Sequence, residues 1–340
     1  MKKKLLFLLV FCLLITGCNE KVKENEELID KEPIKEEKKL SIIDIDSNTR
    51  PYAVVINNYP SAVKVQSGLD KAYIVYEFPI EGGMTRSLAL YKDISDVKIG
   101  TIRSARHNYI DYVMENDAIF VHFGGSATAY EQIGKTDHID GNTTDSAPFY
   151  REQHENLAYE HRVYTDLSKV IDYVNNTKKL RTTTSVKPPL NYVVDEIDLS
   201  SNKDAMKANK LDIYYSNSYY ITFKYNEETK RYDRLFKDTN HVDYFTKKQF
   251  DCKNVIVTFI DWGTVSNHSD AAGNSYLDLY NTGSGDGYYM TNGYIIPIKW
   301  EKETRDSKTI YKNLDGSILD VNDGNTWIML ASKSKKFNIE

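Results

Sequence analysis

The chain has 340 residues, 44 basic and 49 acidic side chains, a formal charge of −5 at neutral pH and three cysteines. This length allows two ordinary domains with a substantial core. The acidic balance argues against nonspecific nucleic-acid binding.

Lys2, Lys3 and Lys4 precede an apolar run from Leu5 to Ile15, the order of a secretion signal. Eleven residues of helix rise about 16 Å, about half of a ~30 Å hydrocarbon core, which disfavours a spanning helix. The run closes on Ile15-Thr16-Gly17-Cys18, which resembles a bacterial lipobox. That resemblance implies cleavage after Gly17 and a lipid on the Cys18 thiol, and several acyl chains make such anchoring stable. The alternative is an ordinary signal peptide with a chance cysteine. The expected arrangement is a signal peptide over 1–17, a charged tether over 18–47, and a body held on the extracytoplasmic face of the cell membrane. Without the signal, 41 basic residues face 49 acidic ones, a formal charge of −8. Cys252 is then the remaining thiol, and its beta-like setting predicts a small buried hydrophobe.

Beyond Arg50, Tyr52 to Asn57, Ala72 to Phe78 and Met84 to Tyr91 read as strands, with turns at Asn58-Tyr59-Pro60 and Gly82-Gly83. Ala105 to Glu115 is a candidate helix with Tyr109, Tyr112 and Val113 near one face. Ala118 to Phe123 returns to a strand, and Gly124-Gly125-Ser126 leads into a helix over 127–133. A polar stretch between Lys178 and Pro189 marks a boundary, giving domains over 48–183 and 184–340. Strands dominate the second: Tyr219 to Tyr225, Asn254 to Phe259, Ser275 to Tyr280, Tyr288-Tyr289 with its flanks, Tyr294 to Lys299 and Thr326 to Leu330. The fold class is α+β, with a mixed α/β first domain and a mainly antiparallel β second domain. The first domain's strands are too continuously apolar for a sheet with one wet face. The 26 tyrosines suit half-buried strand positions as readily as binding faces.

The region from Glu77 to His122 concentrates the chemistry. Glu77 and Glu81 flank a Pro79 turn, Arg86 follows the glycine pair, and Arg103 and Arg106 straddle Ser104-Ala105. Three guanidiniums bind carboxylates or phosphates in two-pronged geometry. Their partners are either Glu77 and Glu81, in a structural network, or an external anion. His122 ends a strand before Gly124-Gly125-Ser126, whose N–H groups are candidate oxyanion donors. The pattern is neither a P-loop nor a serine-hydrolase elbow. His138, His154 and His161 lack the spacing of a helical metal motif, so no metal and no cofactor is expected.

Several motifs in order resemble one family. They are Arg50-Pro51-Tyr52-Ala53-Val54-Val55-Ile56-Asn57-Asn58, Gln66-Ser67-Gly68-Leu69, Ile74-Val75-Tyr76-Glu77, Glu81-Gly82-Gly83-Met84-Thr85-Arg86 and Ile102-Arg103-Ser104-Ala105-Arg106. Val121-His122-Phe123-Gly124-Gly125-Ser126, Phe149-Tyr150-Arg151 and His161-Arg162-Val163-Tyr164-Thr165 continue the series. Gly283 to Tyr289, Ile296 to Trp300 and Asn325-Thr326-Trp327-Ile328 extend it to the second domain. Together they resemble the YerB-like lipoproteins of Gram-positive bacteria, the DUF3048 family. The resemblance implies two α+β domains behind a lipid anchor and supplies no catalytic residues. Tyr73 stands where an acid usually precedes Ile-Val-Tyr-Glu, and Val65 replaces a proline, which weakens any scheme needing a carboxylate at 73.

The leading expectation is a noncatalytic binding or scaffolding role in the cell envelope, with an envelope protein or wall material as partner and no nucleic acid. The competing expectation is an enzyme acting on phosphate-linked envelope glycans, in which arginines stabilise phosphoryl charge and His122 or Glu77 moves a proton. Tyr150, Arg151 and His161 complete the candidate site.

Overall fold

The computed structural model describes residues 39–340. The expected signal peptide, Cys18 and most of the expected tether lie outside the described residues. The last part of the 18–47 segment joins the body. The Ser41 and Ile42 amides donate to the Asp323 carboxylate at 2.7 and 3.0 Å, and Ile43 is buried. Among the described residues no helix is long and apolar enough to cross a membrane.

The continuous apolar runs become strands of one eleven-stranded sheet. Along it stand Met206–Lys207, Tyr294–Lys302, Gly283–Thr291, Asn254–Phe259 and Thr326–Ala331, then Ile74–Ile80, Met84–Tyr91, Tyr52–Asn57, Ile119–His122 and His138–Asp140. Ile310–Lys312 pairs on the side of Tyr294–Lys302. The two parts of the chain meet at Thr326–Ala331, which runs parallel to both neighbours and sets Ile328 opposite both Ile256 and Tyr76. Residues from both expected domains therefore share one hydrogen-bonded sheet. Its later part is mainly antiparallel β, and its earlier part mixes strands with helix.

Alternation along these strands feeds two cores. Val54, Ile56, Val75, Ala89, Tyr91, Trp327 and Met329 enter one; Val55, Ile74, Tyr76, Leu88, Leu90, Ile328 and Leu330 enter the other. A six-stranded sheet that includes Lys210–Ser216, Tyr219–Asn226 and Arg231–Phe236 covers the first face, contributing Leu211, Ile213, Ile221 and Phe223. The helix His107–Glu115 helps cover the second with Tyr109, Ile110, Tyr112 and Val113. Burial on both faces is why the strands read as unbroken apolar runs. Phe78 illustrates the packing: it is fully buried, with its ring 4.7 Å from Tyr109 and 5.0 Å from Tyr112. Truncating such a ring to alanine costs about 3–5 kcal/mol. Cys252 is fully buried, and that burial pushes its thiol pKa upward, as befits a small hydrophobe.

Candidate functional site

The turn Glu81–Gly83 joins Ile74–Ile80 to Met84–Tyr91. Gly82 and Gly83 adopt φ values of 74° and 68°, and a Cβ on Gly83 would lie 2.8 Å from the Ser216 Cβ. Both left-handed backbone and close approach favour glycine there. The turn leaves Glu81 at the sheet's end and Arg86 opposite Asn57. The helix expected from Ala105 begins at His107, because Arg103 to Arg106 instead run beside Phe123 to Ser126. The Phe123 amide donates to the Arg103 carbonyl at 3.1 Å, the Ala105 amide to Gly124 at 2.9 Å, and the Ser126 amide to Ala105 at 3.1 Å. This backbone ladder brings the three arginines and the glycine pair to one place.

Their charges are not all balanced. Arg106 grips Glu81 with two prongs, Nε at 3.0 Å and Nη2 at 2.9 Å, and its guanidinium lies 5.1 Å from the Tyr276 ring. Arg86 has no such partner. It is 6% exposed, Nη1 donates to the Ser104 carbonyl at 2.7 Å, and Nε is buried without a partner. No carboxylate lies within ion-pair distance of Arg86 or Arg103 among the described residues. Burial, then the charges of Arg106 and Arg103, lower the Arg86 pKa to about 9, which leaves it cationic at neutral pH. Burial likewise lowers the Arg103 pKa; its side chain makes one long contact, 3.4 Å to the Glu160 carbonyl.

These three arginines line a cavity of about 560 Å³ together with Glu81, His161 and Asp270. The acids do not neutralise Arg86 and Arg103 directly. Glu160 stands exposed at the rim, and the Asp270 carboxylate accepts from the Ala272 and Asn274 amides of its own turn. That turn belongs to a hairpin, Trp262–Ser269 with Ser275–Leu279, seated on the helix through Asn108. Asn108 donates to the Leu277 carbonyl at 2.8 Å and accepts from the Leu279 amide at 3.1 Å. The cavity is thus built from both parts of the chain.

A second cavity, of about 320 Å³, adjoins it, sharing Arg103 and Glu160 and adding Gly124, Gly125, Tyr130 and Arg151. Arg151 donates to the Tyr159 carbonyl at 2.8 Å, and its guanidinium lies 3.8 Å from that ring. His161 lines the first cavity, with its ring stacked on Tyr59 at 4.7 Å and Nδ1 accepting from the Asn57 side-chain Nδ2 at 2.9 Å. Burial, followed by the charge of Arg103, lowers its pKa.

Other candidate residues go elsewhere. Glu77 does not join the arginines of its hairpin, because it shares the face of Val75 and points into the opposite core. There it is fully buried, 2.9 Å from Arg234 Nη2, and accepts from Thr85 at 2.6 Å. Arg234 donates to His241 Nδ1 at 2.5 Å and lies 4.6 Å from the Trp327 ring. His122 is fully buried and donates from Nδ1 to the Gly124 carbonyl at 2.8 Å. Burial lowers its pKa to about 4, despite Asp140 at 3.8 Å, so it is neutral. The Gly124 amide, an expected oxyanion donor, is already committed to Asp140 at 2.7 Å. Ser126 caps the short helix Ala127–Tyr130 by accepting from the Ala129 amide at 3.1 Å. Tyr150 donates to Asp166 at 3.1 Å and lines neither cavity.

Arg234, Tyr276 and Asp270 escaped sequence reasoning. Arg234 lies 157 residues from Glu77, and no local pattern links the two. The Asp270-Ala271-Ala272-Gly273 turn was recognisable as a turn, but its place beside Arg106 depends on tertiary structure. Among the described residues, no group of three or more His, Cys, Asp or Glu side chains is arranged to hold a metal ion.

Residues 40–181 match the model described as "Protein of unknown function (DUF3048) N-terminal domain", and residues 211–328 match the corresponding C-terminal domain. The chain is 29% identical over 293 residues to YerB of Bacillus subtilis (strain 168), named as a candidate lipoprotein, covering 83% of this chain and 81% of that protein. It is also similar to the crystal structure of YerB protein from Bacillus subtilis. The TM-score is 0.72 at 25% identity, over 86% of this chain and 94% of the other.

Proposed function

We propose that this chain, which belongs to the DUF3048 family through both its N-terminal and C-terminal domains, is a noncatalytic, envelope-associated protein that binds an anionic group in its arginine cleft. A lipid on Cys18 holds it at the extracytoplasmic face of the membrane, in keeping with the lipoprotein name of its relative. The partner is an envelope protein or wall polymer carrying carboxylate or phosphate.

One observation carries the binding reading. Arg86 is buried beside two other arginines, has no carboxylate partner among the described residues and opens on a cavity of about 560 Å³. A buried charge without a counterion is costly, and an incoming anion relieves that cost through charge-assisted hydrogen bonds. The proton-transfer role expected of Glu77 or His122 has no support from their positions, since one is bound to Arg234 and the other is sealed in the sheet.

Titration of the full-length chain with inorganic phosphate tests the cleft. Binding is expected to weaken by about tenfold or more in Arg86→Met, the scale of one charge-assisted hydrogen bond. Equal binding by the variant would overturn the reading. Incorporation of labelled fatty acid, abolished by Cys18→Ser, tests the anchor; labelling that survives the substitution would remove it.

A further inference from the structure

We infer that the ligand of the cleft is a phosphorylated saccharide, with its phosphate among Arg86, Arg103 and Arg106 and its sugar ring against the neighbouring tyrosines; this rests on the anion reading above. The two cavities are neighbours, and Arg103 borders both. Exposed tyrosines mark their rims. Tyr59 lines the first cavity at 45% exposure, Tyr130 lines the second at 43%, and Tyr159, beside Glu160, is 68% exposed.

Each of these rings is held from one side. His161 stacks on Tyr59 at 4.7 Å, and the Arg151 guanidinium lies 3.8 Å from the Tyr159 ring. The Tyr130 hydroxyl donates to the buried Asp140 carboxylate at 2.7 Å. Its ring closes over Gly125, where an added Cβ would lie 3.2 Å away. The tyrosines are therefore oriented before any ligand arrives, while keeping much of their surface open. Preorganised aromatic faces lower the cost of ordering on binding.

An anion alone requires the arginines and gains nothing from aromatic rims. A sugar phosphate uses both, because its ring offers apolar C–H surface to a tyrosine face and hydroxyls to the Asn142 amide and the guanidiniums. Ile80 and Met84 add aliphatic lining to the first cavity, but a phosphoserine peptide offers no ring to lie against the tyrosine faces, so it gains less from the rims than a sugar phosphate does.

Calorimetric titration of the full-length chain in detergent with inorganic phosphate, glycerol 1-phosphate, glucose 1-phosphate and a phosphoserine peptide tests this. Glucose 1-phosphate is expected to bind about tenfold more tightly than the other three. Replacing Tyr130 and Tyr159 by alanine should bring glucose 1-phosphate down to the affinity that the same variant shows for inorganic phosphate. Equal affinity for the four probes, a preference for the peptide, or indifference to the tyrosine substitutions would overturn the saccharide assignment and leave anion binding standing. Failure of inorganic phosphate itself to bind would remove both.

Discussion

Two arginine sites in this protein begin from the same hairpin and end in opposite circumstances. On one face, Glu77 meets Arg234 at 2.9 Å, both are buried, and Thr85 and His241 supply further hydrogen bonds. The charges cancel locally, and the pair joins the large sheet to its covering sheet. At the hairpin's end, Glu81 satisfies Arg106 while Arg86 and Arg103 have no carboxylate partner among the described residues and face a cavity. Burial alone therefore does not distinguish a charge-balanced arginine from an unbalanced one. The presence of a counterion does.

The largest effect should come from opening the balanced site. Glu77→Gln leaves Arg234 buried and unpaired and should cost about 3–5 kcal/mol in denaturant unfolding, whereas replacing both residues with methionine should recover most of the loss. A cost below about 1 kcal/mol for the single change would show that the two sites do not differ as described.

Acid should act next, and it probes the neutral histidines of the closed interior. Burial depresses the pKa of both His241 and His122, the latter to about 4. A histidine with a folded pKa below its unfolded value of about 6.5 binds protons more readily when unfolded. Its contribution is intact above that pH and is lost as pH falls through 6.5, levelling near the folded pKa. For His122 the slope approaches about 1.4 kcal/mol per pH unit. Thermal unfolding between pH 7 and pH 4.5 should show this decline, and His122→Asn should flatten it. An identical profile in the variant would discount His122.

The smallest stability change should come from the unbalanced site. Arg86→Met removes a charge with no carboxylate partner among the described residues, so stability should stay constant or rise by about 1 kcal/mol even as phosphate binding falls. A loss of several kcal/mol would place Arg86 among the structural arginines.

The apolar strands Tyr52–Asn57, Met84–Tyr91 and Asn254–Phe259 were legible because burial on both faces leaves an unbroken local record. Lys210–Ser216 and Arg231–Phe236 were not, because each leaves part of one face only half-buried and interleaves charged residues with its core positions. The convergence of Arg86, Arg103 and Arg106 could be suspected from their spacing. The identity of the acid that pairs with each could not, since strand alternation sends Glu77 to one core while the glycine turn carries Glu81 to the sheet's end. Nor does any local pattern announce that Thr326–Ala331 lies beside Ile74–Ile80.

That last pairing has a consequence for how the chain is made. Val75 waits for Trp327, about 250 residues downstream, before its side of the sheet is complete. A chain emerging with its N-terminus first must hold Ile74–Ile80 as an open, apolar edge through most of its synthesis, when such an edge can pair with the wrong strand. Final closure comes only after nearly all of the chain has arrived. A truncation before residue 326 would therefore do more than delete a terminal segment: it would leave the middle of the sheet unfilled.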